Sequence, residues 1–152
     1  MNNTYSQIHI HVVFAVKYRE ALIESSWRER LYQYIATMIN NKGHKTLAIG
    51  GTPNHIHILL GLRPYQSISS LVLMVKRDSS AWINNEHLTP KRFQWQSGYG
   101  AFTYSKSHLP RVIKYIVNQE QHHKKQTFRD EYIDILKKNE VDYDERYVFD
   151  DV

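Results

Sequence analysis

The 152-residue chain contains no cysteine, only four prolines and only six glycines. Without thiols there is no disulfide scaffold, no cysteine catalysis and no thiolate zinc site, and the composition fits a reducing, cytoplasmic setting. No apolar run approaches the ~20 residues that a membrane-spanning helix needs. Acidic residues are scarce over most of the length: residues 1–128 hold 6 Asp/Glu against 16 Lys/Arg, while residues 129–152 hold 9 against 4. The net charge of +5 therefore divides into a basic body and an acidic extension. A body that basic points to a polyanionic partner, nucleic acid first. With 41% hydrophobic and 12% aromatic residues, the chain is neither disordered nor of low complexity. One domain, residues 1–128, is expected, with residues 129–152 docked on it or on a dimer partner.

Hydrophobic periodicity gives the order of elements. Ile8, Ile10, Val12, Phe14 and Val16 alternate with His9, His11, Val13 and Ala15, the period of a strand. Ser26-Trp-Arg-Glu29 reads as a capping box opening a helix, with Trp27, Leu31, Tyr34, Ile35 and Met38 on one face and Lys42-Gly43 as its stop. Residues 45–50 and 55–62 read as strands joined by the turn Gly51-Thr-Pro-Asn54. Ser67 opens a second helix bearing Ile68, Leu71, Val72, Val75, Trp82 and Ile83. Residues 84–98 read as irregular, 99–105 as a fourth strand and 108–125 as one helix. Strand–helix–strand–strand–helix–strand predicts an α+β, ferredoxin-like split βαβ sheet with an added C-terminal helix.

Two features carry chemistry. His55-Ile-His57 on the third strand sends both imidazoles to one face, where a single divalent metal can be shared. His9-Ile-His11 repeats the pattern, so the tripeptide alone is weak. On the last helix, Leu109, Val112, Ile113, Ile116 and Val117 form the apolar stripe, while Tyr115, Gln119 and His122 share a different face. A tyrosine placed there is a candidate nucleophile, with a carboxamide one turn on that can offer oxygen to a metal.

Pro53-Asn-His55-Ile-His57, Trp95-Gln-Ser-Gly-Tyr-Gly100 and Tyr115-Ile-Val-Asn-Gln119, followed by His122-His123, together resemble the single-tyrosine HUH transposases of bacterial insertion sequences and their domesticated relatives. Lys17-Tyr-Arg19 and Phe128-Arg-Asp-Glu-Tyr132 are also similar, so the resemblance covers nearly the whole chain. It implies His55, His57 and Gln119 as ligands of Mg²⁺ or Mn²⁺, and Tyr115 as a nucleophile that cleaves and rejoins single-stranded DNA through a 5′-phosphotyrosine. It also implies recognition of DNA hairpins and a homodimer whose tyrosines act in trans. Lys17, Arg19, Lys76, Arg77, Lys91 and Arg92 are the first candidates for phosphate contacts, with Lys106, Arg111 and Lys114 behind them. His11 and His122 are candidates for a supporting ligand shell or a general base. Two other readings compete. One is a ferredoxin-like module that binds single strands without chemistry. The other is a phosphoesterase using His9, His11, His55 and His57 together.

Overall fold

The computed structural model describes residues 3–123, 126–144, 146 and 148, with only the backbone of His122 among them. Strand β1 spans His9–Ala15, helix α1 Ser25–Asn41, β2 Lys45–Thr52, β3 His55–Gly61, α2 Ile68–Asn85 and β4 Gly100–Thr103. Three helices follow: α3 (Leu109–Val117), α4 (Gln119–His123) and α5 (Phe128–Lys138). All pairings in the four-stranded sheet are antiparallel, in the order β2-β3-β1-β4. This is the split βαβ arrangement, with β1 and β3 as central neighbours. The register places Val13 beside His57 and Ala15 beside His55.

The alternation in β1 sorts the two faces as its sequence predicts. Ile10, Val12, Phe14 and Val16 join Ile56, Ile58 and Leu60 in one core with α1 and α2, which contribute Trp27, Leu31, Ile35, Ile39, Leu71, Val72, Val75 and Ile83. Ser67 caps α2 by accepting from the Ser70 amide at 3.1 Å. Helix α1 differs from its expected start. Its N-cap is Glu24, in extended conformation and without a side-chain cap, so Ser26 lies inside the first turn rather than at a capping box. It stops where expected: Lys42 leaves helical geometry and Gly43 takes φ +91°, which costs a residue without Cβ little.

The expected irregular stretch begins later than residue 84, because α2 runs on to Asn85; residues 86–98 are irregular but anchored. Phe93 and Trp95 are buried against Phe14, with Trp95 edge-on at 4.7 Å and its indole N–H donating to Ser79 Oγ at 2.9 Å. The fourth strand is shorter than its expected span, Gly100–Thr103. The last helix is broken: at Asn118 the backbone turns to φ −102°, ψ +25°, separating α3 from α4. Val117, expected in the apolar stripe, ends α3 and is 58% exposed.

The opposite sheet face is covered by α3, α4 and α5. Val112 and Ile116 of α3 pack on Ala48 and Leu59. Phe128, Ile133, Ile135 and Leu136 of α5 pack with Val13, Ala15 and Phe102. Helix α3 approaches β2 so closely that a Cβ on Gly50 would stand 2.0 Å from the Ile116 carbonyl oxygen. Between the two small apolar clusters runs a strip of buried polar side chains: His11, His55, His57, Gln119 and Glu131. No helix among the described residues is long and apolar enough to cross a membrane.

Candidate metal and tyrosine site

His55 and His57 are fully buried beneath α4 and α5. Their outer nitrogens converge: His55 Nε2 lies 3.0 Å from Gln119 Oε1 and 3.5 Å from Glu131 Oε1, and His57 Nε2 lies 3.3 Å from the same Glu131 oxygen. The Gln119 amide is oriented by its nitrogen, which donates to the Tyr115 carbonyl at 3.3 Å and turns Oε1 toward His55. The Tyr115 hydroxyl donates to Glu131 Oε2, and the Tyr115 ring stands edge-on to His57 at 5.7 Å. His123 Nε2 is 2.9 Å from Glu131 Oε1, and Phe128 stacks on the His55 ring at 3.9 Å.

The inner nitrogen of His55 fixes its tautomer. His55 Nδ1 faces Asn54 Oδ1 at 2.8 Å and Thr52 Oγ1 at 2.9 Å, and the threonine spends its hydroxyl hydrogen on Asn54. Both neighbours are acceptors, so Nδ1 carries the hydrogen and the neutral ring's Nε2 is bare. That lone pair then confronts two oxygens, an arrangement that requires positive charge at the point of convergence. A proton on His55 is opposed by burial, which lowers this histidine to about 4 despite the Glu131 contact. A metal ion meets the requirement: one nitrogen from each of His55 and His57 and one Glu131 oxygen lie within 4.8 Å of one another, and imidazole with oxygen donors suits a divalent cation. Behind His57, His11 Nε2 sits 2.8 Å from Nδ1, and burial lowers His11 to about 3. His11 thus stays neutral and backs one ligand, as Asn54 and Thr52 back the other.

Tyr115 and Glu131 hold one another in a resting state. Burial, then the Glu131 carboxylate, pushes the phenol far above its usual range. Burial pushes Glu131 up, yet its contacts with the imidazoles of His123, His55 and His57 override it and hold the carboxyl far below its usual range.

The remaining sequence candidates divide. Lys17 and Lys76 lie at the end of the sheet nearest His55, tied together by the loop: Lys17 Nζ donates to Gln94 Oε1 at 3.1 Å, and Lys76 Nζ to the carbonyls of Gln96 and Gly98 at 2.8 and 2.6 Å. Burial lowers Lys76 to about 8. Tyr18 and Arg19 take positive φ, 60° and 53°, and Arg129 bears electrostatically on Arg19 from the start of α5. Lys91 pairs with Glu20, Arg77 pairs with Asp78 on the exposed side of α2, and Arg92 is exposed. His9 pairs with Gly61 at the far end of β1, so the four histidines of the phosphoesterase reading do not meet. The side chain of His122 lies outside the described residues; it is His123 whose Nε2 meets Glu131 Oε1.

Glu131 and His123 were not singled out from the sequence. Glu131 had a signal: Phe128, Glu131 and Ile135 fall at i, i+3 and i+7, placing a carboxylate within the apolar stripe of α5, where a charge needs a partner. It was masked by the acidic composition of residues 129–152.

Residues 4–119 match the family model described as "Transposase IS200 like". The chain belongs to that family. This makes it an enzyme of the single-tyrosine HUH class. Among curated proteins it is 25% identical over 118 residues to the ISDra2 transposase TnpA of Deinococcus radiodurans, spanning 74% of this chain and 84% of that one. Two solved structures share the fold at TM-score 0.61. One is a Deinococcus radiodurans protein assigned as a transposase, 21% identical, over 78% of this chain and 95% of that one. The other is a REP-associated tyrosine transposase bound to a REP hairpin, 15% identical, over 100% and 92%.

Proposed function

We propose that this IS200-like transposase cleaves and rejoins single-stranded DNA through a covalent link between Tyr115 and a 5′-phosphate, recognising hairpins as the REP-bound relative does. The observation that carries this reading is the convergence of His55, His57 and Gln119 beside the Tyr115 hydroxyl, on one side of a single chain. The Tyr115 oxygen attacks phosphorus, the bond to the 3′-oxygen breaks, and that oxygen leaves as a 3′-hydroxyl. Because the phosphotyrosine conserves the ester, another 3′-hydroxyl can reverse the step. The phenol proton has an acceptor in place at Glu131 Oε2.

His55 Nε2 and His57 Nε2 would hold Mg²⁺ or Mn²⁺, with Gln119 Oε1 and Glu131 Oε1 as the oxygens in reach. Such an ion supplies Lewis-acid polarisation of the scissile phosphate and stabilises the charge that builds on its oxygens. His11 positions His57 through the contact between their ring nitrogens, and Asn54 positions His55. Lys17 and Arg19, at the same end of the sheet, supply positive charge for the strand's backbone, with Lys76 bracing the loop beside them. Within this chain the Tyr115 ring stands edge-on to His57. Within the acidic extension, Glu131 of α5 joins the catalytic set.

Incubation with single-stranded DNA carrying imperfect hairpins and Mg²⁺ or Mn²⁺ should yield a denaturation-resistant protein–DNA adduct. Chelator and Tyr115→Phe should each abolish it. An adduct that persists in the phenylalanine variant removes Tyr115 from this role. Hairpin binding without any adduct would instead favour the non-catalytic module.

A further inference from the structure

A cavity of about 400 Å³ opens between α3 and α5, and the Tyr115 side chain forms part of its wall. Its size falls in the ~300–1,000 Å³ range of small-molecule sites. Glu131 borders it beside Tyr115, Val112 and Ile135 give it an apolar floor, and the rest of its lining is two-sided in chemistry. Arg111, one helical turn before Tyr115, and Lys138, in the last turn of α5, bring exposed cations. Tyr104 brings a half-buried ring that also borders His11 at 6.0 Å. Asp134 and Asn139 bring oxygens. The Gln126 amide donates to Asp134 Oδ2 at 2.7 Å, leaving Oδ1, and the Asn139 amide nitrogen is committed to the Ile135 carbonyl at 2.9 Å, leaving its Oδ1.

Cations, an aromatic face and acceptor oxygens around one cavity match one kind of occupant. The cations suit a phosphate. The ring suits a base face, since aromatic side chains stack on any base. The oxygens suit a base edge that carries hydrogens. We propose that this cavity is a nucleotide subsite, taking a nucleotide next to the scissile phosphate and favouring a base with an exocyclic amino group. The inference rests on the strand-transfer reading for the place of that nucleotide along the DNA, because the cavity shares its wall with the nucleophile. Adenine, cytosine and guanine each offer an amino group to Asp134 and Asn139. Thymine offers a carbonyl and a methyl at the corresponding edge.

The probes are the four deoxynucleoside monophosphates dAMP, dCMP, dGMP and dTMP, titrated into the full chain with chelator present and followed by amide chemical shifts. The three amino-bearing nucleotides are expected to bind several-fold more tightly than dTMP, with shifts centred on Tyr104, Arg111 and Asn139. Arg111→Ala should weaken all four about tenfold, the loss of one charge-assisted contact. Asp134→Asn should narrow the gap between dTMP and the others by replacing an acceptor with a donor. Both residues are exposed, so an unchanged melting temperature shows that either variant is folded. Equal binding of all four, shifts centred elsewhere, or a base preference untouched by Asp134→Asn overturns the subsite. If no mononucleotide binds while single-stranded DNA still forms the Tyr115 adduct, the subsite falls and the strand-transfer reading stands. If the mononucleotide pattern appears and no DNA gives an adduct, the subsite stands and the strand-transfer reading falls.

Discussion

The two faces of the sheet are built on opposite principles. Beneath α1 and α2 the buried side chains are almost wholly apolar and form one continuous core. Beneath α3, α4 and α5 two small apolar clusters flank a strip in which three histidines, a glutamine and a glutamate are nearly or completely buried. Burying apolar surface stabilises a fold at about 25 cal/mol per Å². Burying polar groups whose lone pairs face one another does not, and here it creates a demand for a cation. The first face holds the chain together; the second is kept at a cost in stability and carries the chemistry.

Adjacent positions on β3 give the largest contrast. Ile58→Ala removes a side chain that is 2% exposed in the core and should cost about 2–5 kcal/mol in urea-monitored unfolding. His57→Ala, one residue earlier on the other face, should cost clearly less in metal-free protein while abolishing the metal-dependent adduct. Equal destabilisation by the two substitutions would mean that the histidine strip supports the fold as strongly as the core does.

Acid should separate the faces next. His11 and His55 sit at about 3 and about 4 in the folded chain, against about 6.5 when unfolded. Between these values the unfolded chain binds more protons, so stability is fully present above about pH 6.5. It falls as the pH is lowered, by up to about 1.4 kcal/mol per pH unit for each histidine. Glu131, also lowered, acts in the same sense: its contribution is present above about pH 4.3, its ordinary value, and is lost below it. Urea midpoints of metal-free protein between pH 4 and 7 should therefore slope steeply. His11→Phe should flatten that slope, whereas Ile58→Val should lower the whole curve without changing it. A slope unaltered in His11→Phe would place the acid sensitivity elsewhere.

Legibility follows the same division. Sheet order, the two crossover helices and the Ser67 cap could be read because strand alternation and helical spacing are local signals that an apolar core rewards directly. His55, His57, Tyr115 and Gln119 could be read because their spacing and the family resemblance coincide, and the structure brings all four together. Glu131 and His123 could not. Their place depends on the break at Asn118 and on how α5 returns across the sheet, and neither is a periodic feature. The burial of Trp95 was hidden for a related reason: it sits in an irregular segment, where burial depends on a partner, Ser79, found on another element. Glu24 holds the N-cap position of α1 without a side-chain cap, although Ser26 offered the better capping side chain.

The glycine beneath α3 tests how far the second face depends on close approach. A methyl group on Gly50 would collide with the Ile116 carbonyl, and backbone rather than a flexible side chain would have to yield. Gly50→Ala should cost about 1–3 kcal/mol, a typical overpacking penalty. Because α3 carries Tyr115, adduct formation should fall with it. Hydrogen exchange should show faster opening in α3 than in α1. Uniform acceleration across both helices would mean that the two faces unfold as one unit.

The smallest effect gives the cleanest comparison, because each face has one helix capped in the same way. Ser67 Oγ accepts from the Ser70 amide at the start of α2, and Thr127 Oγ1 accepts from the Asp130 amide at the start of α5, at 3.1 and 3.2 Å. Removing either hydroxyl should cost about 1 kcal/mol of local helix stability. The chemistry matches, but the readout should differ. Helix α2 is part of the continuous core, so Ser67→Ala should lower the global unfolding midpoint and leave adduct formation unchanged. Helix α5 carries Phe128 and Glu131 onto the histidine strip, so Thr127→Ala should loosen α5 in hydrogen exchange and change the rate of adduct formation at constant DNA affinity. If the two alanine variants behave alike, α5 is an integral part of the core, and the division between a face that folds and a face that reacts does not extend to the helices covering them.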